Sequence, residues 1–336
     1  MTDTFSTSVL SDNGQTMIAA RVNSFGPPEA IEMEEVQRPV AGPGEVLVRV
    51  HAAGVGPWDG WVRGGKSVLP QPLPLTPGAD LAGVVESVGP DVREFAPGDP
   101  VFGATNPRFT GAYAEYAVAS AAMIARKPAK LGDIEAASVP VIAVTAWQAI
   151  FEHAEIIAGQ TVLIHGAAGN VGAFAVQLAS RARANVVAVV ADTDTDYVRA
   201  LGANQIIDYR TERFEEKVSN VDAVIDLVGG ETQRRSLSVL RPKGILVSTV
   251  SKPDEVEAAR RGVRSSFFLV EVSTGRLDKI ASMLERGDLV GQVGEVLPLA
   301  MAVEAHEMLE GRRPHRRGKI VLQVSPDVDR KEGNKA

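Results

Sequence analysis

The chain of 336 residues contains no cysteine. Disulfide bonds, thiolate zinc sites, iron–sulfur clusters and a cysteine nucleophile are therefore excluded. No apolar run approaches the length of a membrane span, and the N-terminus lacks the basic and apolar regions of a signal peptide. The formal net charge of -7 provides no field that would attract nucleic acid or an anionic membrane. We therefore expect a cytoplasmic protein whose partner is neither a nucleic acid nor a membrane.

Glycine, in contrast, is abundant, with 32 residues. One glycine-rich turn lies between an apolar run typical of a strand (161–165) and a run typical of a helix (173–179). Small residues let backbone N–H groups approach a pyrophosphate, the helix N-terminus adds partial positive charge, and the last glycine allows close packing of helix on strand. The alternative is an ordinary strand-to-helix turn. The pattern predicts a dinucleotide site at Gly166, Ala167, Ala168, Gly169, Asn170, Val171 and Gly172.

The pattern of apolar residues changes along the chain. Residues 1–16 and 325–336 are polar and aperiodic, which predicts a disordered leader and tail. In residues 17–140, short β-like runs alternate with glycine and proline. In residues 141–272, apolar strands alternate with helices, which is typical of a parallel sheet covered on both faces. Because the last strand resembles the first part, we predict that 273–324 complete the domain begun by 17–140.

Several segments stand in an order that resembles a known family: 42–48, 77–85, 98–103, 111–116, 145–149, 201–203, 226–230 and 318–322. The chain resembles the medium-chain dehydrogenase/reductase superfamily, in its zinc-free quinone oxidoreductase-like branch, from about residue 17 to 324. This resemblance implies an α/β protein with a GroES-like β-rich catalytic domain and a Rossmann domain, which is a doubly wound parallel sheet. It also implies a homodimer.

The resemblance carries an expectation about metal. Zinc-dependent relatives have ligands at two positions that are occupied here by Gly56 and Ala79, and neither residue binds a metal. The implied activity is metal-free hydride transfer from NAD(P)H to a quinone or an α,β-unsaturated carbonyl, because such acceptors delocalise the incoming charge onto oxygen. No catalytic acid or base is assigned. The alternatives are an enoyl-thioester reductase of the same superfamily and a low-turnover NAD(P)H-binding redox sensor.

Further cofactor contacts follow from the resemblance. An acidic residue at Asp192 favours NAD(H), because a carboxylate at this position bonds a ribose 2′-OH and repels a 2′-phosphate. Arg210 and the preference of the family for NADP(H) favour NADP(H), and this is the cofactor that we predict. In this interpretation the aspartates near position 192 are solvated residues of a turn or a helix cap. Outside the glycine turn, the expected cofactor-binding residues are Thr145, Asp192, Tyr209, Arg210, Leu227, Val228, Ser248, Val250, Phe268, Val270 and Lys319.

The resemblance places a substrate pocket in the first domain. Two tryptophans in one loop are unusual in a chain with 5% aromatic residues, and they either stack on a flat quinone or enone or pack the core. Asp59 is expected at the substrate as well, and its alternative role is that of a structural cap. The basic run 312–317 is interpreted as a solvated loop, with cofactor phosphate binding as the alternative. The expected substrate residues are Gly56, Trp58, Asp59, Trp61 and Asn106.

Overall fold

The computed structural model of the protein describes residues 11–325, with side chains from residue 14 onward. Fifteen strands lie in this part of the chain: β1 (Ser11–Val22), β2 (Ile31–Pro39), β3 (Glu45–Val55), β4 (Asp80–Val88), β5 (Pro100–Ala104), β6 (Tyr116–Ser120), β7 (Ile124–Arg126), β8 (Thr161–His165), β9 (Asn185–Val190), β10 (Gln205–Asp208), β11 (Val221–Asp226), β12 (Leu240–Ser248), β13 (Arg264–Phe267), β14 (Val293–Pro298) and β15 (Lys319–Gln323).

Ten α-helices connect these strands within the described residues: α1 (Pro57–Arg63), α2 (Asp133–Ala137), α3 (Pro140–Trp147), α4 (Asn170–Arg181), α5 (Thr195–Ala200), α6 (Phe214–Lys217), α7 (Gly230–Ser236), α8 (Glu255–Arg260), α9 (Thr274–Arg286) and α10 (Ala302–Leu309). A π-helical segment, Gln148–His153, continues α3. None of the helices between residues 11 and 325 has the length and apolar character needed to cross a membrane.

The chain divides into two compact units. Within the described residues, the first contains 11–140, 272–285 and 291–325, and the second contains 141–271 and 286–290. The N-terminal and C-terminal parts of the chain share one hydrophobic core in the first unit, where Val48 and Leu81 pack with Leu299 and Ile320. The first unit is therefore built from both ends of the chain.

The first unit is built on two sheets. Seven strands form the larger one, in the order β14-β15-β3-β4-β5-β7, with β6 also pairing with β3. All its pairs are antiparallel except β14–β15. Strands β1 and β2 form a separate antiparallel pair. The long strand β3 contacts β4, β6 and β15, and it leads directly into α1 at Gly56. The end of β3 therefore positions the residues of α1.

The second unit is a six-stranded parallel sheet in the order β10-β9-β8-β11-β12-β13. The order reverses between β8 and β11, and open α/β sheets bind ligands at the carboxyl ends of the strands at such a reversal. A buried core that includes Leu163, Val187, Val224 and Leu246 explains the nearly continuous apolar strands. The predicted α/β class, with a GroES-like β-rich part and a doubly wound parallel sheet, is confirmed.

One boundary differs from the prediction at the N-terminal end. Residues 11–16, expected in a disordered leader, belong to β1, where Thr16 lies opposite Gln37. The polar side chains hold the pair together, since the Arg38 guanidinium donates to Gln15 Oε1 at 2.8 Å and Thr16 bonds to Glu35. Residues 1–10 and 326–336 lie outside the described residues, and with them most of the expected leader and tail.

A second boundary differs near residue 290. The segment 286–290, expected in the first domain, belongs to the second unit. The Gln177 amide exchanges hydrogen bonds with the Val290 backbone at 3.0 and 2.9 Å. Arg181 on the same helix pairs with Asp288 at 2.8 Å. Side chains of α4 thus hold this short segment, and the sequence of the segment, Arg-Gly-Asp-Leu-Val, carries no local sign of it.

Candidate functional site

The glycine turn follows the buried strand β8 and leads into α4, as the sequence predicts. Gly166 has φ +69°. A Cβ at Gly172 would lie 2.2 Å from the Gly166 carbonyl oxygen, so the backbone leaves no room for a side chain there. Helix α4 begins after Gly169 without a side-chain cap. Its first N–H groups, which have no partner within a helix, therefore suit an anionic pyrophosphate, and the turn fits a dinucleotide.

Asp226, at the carboxyl end of β11, organises the neighbouring loop. Its fully buried carboxylate accepts the backbone N–H groups of Val228 at 3.1 Å and Gly229 at 2.8 Å. It also accepts the Gln233 amide at 2.9 Å and the Ser248 hydroxyl at 2.8 Å. One side chain thereby fixes the ends of both β11 and β12. Asp226 was not among the predicted site residues, although a carboxylate at the end of an apolar strand is a signal that could have indicated it.

Around Asp226, the predicted residues of these strand ends differ in accessibility. Ser248 is buried and bonded, whereas the side chains of Val228 and Val250 are about half exposed. Leu227 is half-buried. At the carboxyl edge of the sheet, Val228 and Val250 thus form an apolar surface, and the hydrogen bonds of Asp226 and Ser248 lie beneath it. The assignment of these residues to cofactor binding stays a prediction.

The predicted discriminator residues lie together at the ends of β9 and β10. Asp208 accepts the backbone N–H of Arg210 at 3.1 Å. That bond, with one from the Thr211 hydroxyl, holds the pKa of Asp208 below its usual value, and the Asp192 backbone N–H contributes. The Arg210 guanidinium lies 5.7 Å from the centre of the exposed Tyr209 ring. Asp192 and Arg210 are both exposed, so both remain accessible to a ribose or phosphate.

Two other predicted cofactor residues, Thr145 and Phe268, make contacts within the second unit. The Thr145 hydroxyl donates to the Val141 carbonyl oxygen of its own helix at 2.7 Å. The Phe268 ring is buried and stacks on His153, with ring centres 4.1 Å apart. Strand β13 ends at Phe267, so Phe268 and half-buried Val270 follow the edge strand. A contact of Phe268 with a ligand would therefore be made by its backbone.

His165, at the end of β8, is a structural residue. Its Nε2 atom lies 2.9 Å from the Ser236 hydroxyl oxygen, and its ring meets Phe214 edge to face. Burial lowers the pKa of His165 to about 4. The ring is therefore neutral at physiological pH, and it supports the sheet below the glycine turn.

In the first unit, an indole ring fills the space beside the first predicted metal-ligand position. A Cβ placed on Gly56 would lie 2.4 Å from two ring atoms of Trp58, Cη2 and Cζ2. The Trp58 ring is also 6.4 Å from the Phe109 ring, centre to centre. Within residues 14–325, Trp58 Nε1 is buried without a hydrogen-bond partner. Any larger residue at position 56 would displace the indole.

A buried ion pair lies beside the second predicted ligand position. Ala79 is fully buried, and the Lys319 ammonium bonds to Asp80 at 2.8 Å, with both side chains almost completely buried. The same ammonium lies 4.6 Å from the centre of the Trp58 ring. Gly54 makes this arrangement possible, because a Cβ there would meet Asp80 Cβ at 2.9 Å and Lys319 Cε at 3.0 Å.

The predicted cofactor contact of Lys319 is therefore corrected. Its ammonium is 1% exposed and bonded to Asp80 within the first unit, so it is not available to a phosphate group. The basic run 312–317 is likewise paired, with Arg312, Arg313 and Arg316 each bonded to a glutamate. In the described part of the chain, no group of three His, Asp or Glu side chains is arranged to hold a metal ion.

Asp59 was expected at the substrate, but the structure makes it the cap of α1. It is completely buried. Its Oδ2 atom accepts the Gly56 N–H at 2.8 Å and the Tyr113 hydroxyl at 3.2 Å, whereas Oδ1 has no partner among residues 14–325. Burial raises the pKa of Asp59 to about 7, against the opposing effects of the Gly56 N–H and the Lys319 charge. Asp59 therefore positions the turn that carries Trp58.

The remaining predicted substrate residues separate. Trp61 is 52% exposed and lines a surface pocket of about 530 Å³ together with Arg63, Lys66 and Arg312, while Trp58 packs on Gly56. Asn106 uses both ends of its amide within its own loop, since Oδ1 accepts the Arg108 N–H at 2.9 Å and Nδ2 donates to Thr110 at 2.7 Å. The structure therefore groups Gly56 and Trp58, but not Trp61.

Comparison with known proteins agrees with this architecture. Residues 42–129 match the family model of the alcohol dehydrogenase GroES-like domain, and 201–322 match that of the zinc-binding dehydrogenase. The chain is 32% identical to the mitochondrial NAD(P)H oxidoreductase RTN4IP1 of Danio rerio, covering 85% of each chain. It is 33% identical to the quinone oxidoreductase structure from Coxiella burnetii, with a TM-score of 0.86 and coverage of 93% of this chain and 100% of that one.

The chain belongs to the medium-chain dehydrogenase/reductase superfamily, in its quinone oxidoreductase-like branch. It is an oxidoreductase of an NAD(P)H-binding family. A mycobacterial relative that is 28% identical has been solved in complex with NADPH, with a TM-score of 0.81 and coverage of 92% of this chain and 100% of that one. The predicted resemblance is confirmed.

Proposed function

We propose that this oxidoreductase transfers hydride from NADPH to a quinone or an α,β-unsaturated carbonyl without a catalytic metal. The observation that carries the proposal is the arrangement around Gly56. A glycine and an alanine stand where zinc-dependent relatives have ligands, an indole fills the space beside the glycine, and a lysine ammonium is buried next to the alanine. Neither glycine nor alanine offers a ligand atom to Zn²⁺.

The acceptor class follows from the absence of a Lewis acid in this proposal. When bound, the nicotinamide supplies the hydride, and an acceptor that is already electrophilic needs no metal to polarise it. The protein then contributes orientation and exclusion of water. Trp58 is partly exposed on the turn that Asp59 caps, and it offers an aromatic face to a flat acceptor. No side chain is assigned as the proton donor.

The glycine turn and Asp226 have the task of holding the cofactor. The first N–H groups of α4 would bind the pyrophosphate, and the Asp226 hydrogen bonds would keep the loop after β11 in place. We propose NADP(H) over NAD(H), because Arg210 is exposed beside Tyr209 and can pair with a 2′-phosphate. The NADPH complex of the mycobacterial relative supports the same choice.

The homodimer and the cytoplasmic location also remain proposals. Strand β13 is the edge of the six-stranded sheet, and an unpaired edge strand can pair with a second copy. The name of the RTN4IP1 relative places that protein in mitochondria. Fractionation of cells that express the chain would locate it, and light scattering would give its mass in solution.

Consumption of NADPH with a panel of quinones, enones and enoyl thioesters tests the proposed activity. We expect turnover with at least one small quinone or enone. Turnover confined to enoyl thioesters would assign the enoyl-thioester alternative, and tight NADPH binding without turnover on any acceptor would assign a redox sensor. Separate titrations with NADH and NADPH test the cofactor. A tenfold preference for NADH, about 1.4 kcal/mol, would implicate Asp192, and Asp192→Ser should then weaken that preference.

A further inference from the structure

One exposed loop of the first unit carries an unusual density of apolar side chains. Val68 is 77% exposed, and Leu69 and Leu73 are exposed as well. Trp61 precedes this loop, and Phe25 lies against it. These five residues, Phe25, Trp61, Val68, Leu69 and Leu73, form what we call the apolar patch. Isolated exposed apolar residues are ordinary, but contiguous groups mark interaction surfaces.

Backbone and side-chain contacts join this loop to Phe25, to Trp61 and to the segment 106–110. A Cβ at Gly65 would lie 2.8 Å from the Phe25 ring, so this ring lies directly on the start of the loop. The Lys66 N–H donates to the Trp61 carbonyl oxygen at 2.7 Å. At the other end, the Gln71 amide donates to the Arg108 carbonyl oxygen at 3.2 Å, which joins the loop to residues 106–110.

The charge of this surface is opposite to that of the chain as a whole. No acidic residue occurs in 60–79 or in 100–114, although the chain has 42 acidic residues. Lys66 and Arg108 are exposed and belong to none of the ion pairs identified between residues 14 and 325. Glu310, which lines the same surface pocket as Trp61 and Lys66, is paired with Arg63 and Arg312.

We propose that the apolar patch docks on an anionic lipid surface, which departs from the expectation that the net charge of the chain gave. Tryptophan and phenylalanine are the residues that settle at the boundary between headgroups and acyl chains, and Val68 and Leu69 are exposed enough to enter it. Lys66 and Arg108 face the lipid phosphates. Electrostatic attraction acts only within about 8 to 10 Å of the surface at physiological salt, so the local cations act on the lipid more strongly than the distant negative charge of the chain.

The positive charge of Lys66 and Arg108 favours an anionic lipid surface over a second copy of the chain and over an apolar protein partner. A second copy of the chain would bring a second Lys66 and Arg108 to the same place, since a two-fold interface pairs a surface with itself. A protein partner with an apolar face would need no cations beside it. The proposal is independent of the proposed acceptor, because it concerns only where the enzyme binds.

Vesicle flotation of the full chain tests the proposal. The vesicles contain either phosphatidylcholine alone or phosphatidylcholine with phosphatidylglycerol. We expect binding to the anionic vesicles only, with a blue shift of the tryptophan emission. The double variant Val68→Glu/Leu69→Glu should lose this binding, and Lys66→Glu/Arg108→Glu should weaken it by about tenfold or more, since each cation at the surface contributes about 1 kcal/mol.

The matched control is Val256→Glu, because Val256 is also an exposed apolar residue (73%) but lies on α8 in the second unit. It should bind vesicles like the unaltered protein, and thermal unfolding should show that every variant is folded. No binding of the unaltered protein to anionic vesicles would overturn the proposal. Equal binding to both vesicle types, or binding that survives Val68→Glu/Leu69→Glu, would also overturn it. If Val68→Glu/Leu69→Glu changes the mass of the protein in light scattering but leaves its vesicle binding unchanged, the patch is a contact with a second copy instead.

Discussion

Two buried aspartates show how differently the two units treat their charges. Asp226 in the second unit receives four hydrogen bonds and holds the loop beside the glycine turn. Asp59 in the first unit is equally buried, but one of its oxygens has no partner within residues 14–325. Because burial of a charge that is only partly hydrogen-bonded is costly, the pKa of Asp59 rises to about 7.

The two units differ in the kind of ligand that their buried groups leave room for. In the second unit, the donors that remain open belong to the start of α4, where an anion is expected, and the surrounding carboxylate is satisfied. In the first unit, the positions used for a metal in zinc-dependent relatives are filled from within by an indole and an ammonium. We propose that the first unit therefore binds no metal, whereas the first N–H groups of α4 in the second unit hold the cofactor.

The largest effect is expected from the buried ion pair of the first unit. Lys319→Met removes the ammonium and leaves the buried Asp80 carboxylate without it. We expect a loss of about 3 to 5 kcal/mol in the free energy of unfolding, measured by urea denaturation. The double variant Asp80→Asn/Lys319→Met should recover most of the loss, because no unpaired charge is then buried. A loss below about 1 kcal/mol for Lys319→Met would contradict the buried pair.

The second prediction compares the two aspartates directly. Asp226→Asn places an NH₂ group against two donors and should cost about 2 to 4 kcal/mol, since each unsatisfied buried group costs about 1 to 3 kcal/mol. Asp59→Asn keeps an oxygen for the Gly56 N–H and the Tyr113 hydroxyl. Its effect should therefore be small at acidic pH and favourable at alkaline pH.

The sign follows from proton binding. The folded pKa of Asp59 is about 7, above its value of 3.8 in the unfolded chain. The folded protein thus binds more protons in this range, and stability falls as the pH rises from 3.8 towards 7. Between pH 5 and 8, Asp59→Asn should gain about 2 to 3 kcal/mol relative to the unaltered protein. Equal pH dependence of the two proteins would show that Asp59 titrates normally.

The third prediction concerns the filled metal position. Gly56→Ala forces the Trp58 ring to move, and overpacking of this kind typically costs about 1 to 3 kcal/mol. Gly56→Ala/Trp58→Val should restore stability, because the smaller side chain vacates the space. Gly275→Ala is the control, since a Cβ there meets nothing within 4 Å. If Trp58→Val fails to rescue Gly56→Ala, the indole is not what occupies that space.

The smallest effect is expected in the second unit, on the affinity of Arg210 for the 2′-phosphate of NADPH. Arg210→Ala should weaken NADPH binding by about tenfold, or about 1.4 kcal/mol, and leave NADH binding nearly unchanged. Fluorescence titration measures both constants. Arg260→Ala, on the exposed face of α8, is the matched control. Equal weakening of NADH and NADPH binding would remove Arg210 from the recognition of the 2′-phosphate.

Local patterns carried much of the fold. The order of apolar strand, glycine turn and helix predicted β8 and α4 because neighbouring residues determine both. The apolar run at 319–324 likewise predicted β15 and its return to the first unit. By contrast, the polar residues 11–16 gave no local sign of their pairing with β2, and the segment 286–290 is held by side chains of α4 more than one hundred residues earlier.

The site was less accessible to sequence analysis for the same physical reason. Lys319 finds Asp80 across 239 positions, and no spacing rule reveals such a pair. Asp59 and Trp61 sit near Trp58 in the sequence, but the turn of α1 buries the first and directs the second to another pocket. Asp226 was missed because its role depends on donors from two strands and a helix.

Metal independence of the enzyme can be measured on the purified protein. The purified enzyme is assayed for NADPH oxidation by a small quinone before and after dialysis against a strong zinc chelator, and its zinc content is determined by mass spectrometry. We expect the turnover to be the same before and after dialysis, and the zinc content to be far below one ion per chain. Activity that falls with chelation and returns with added Zn²⁺ would contradict it.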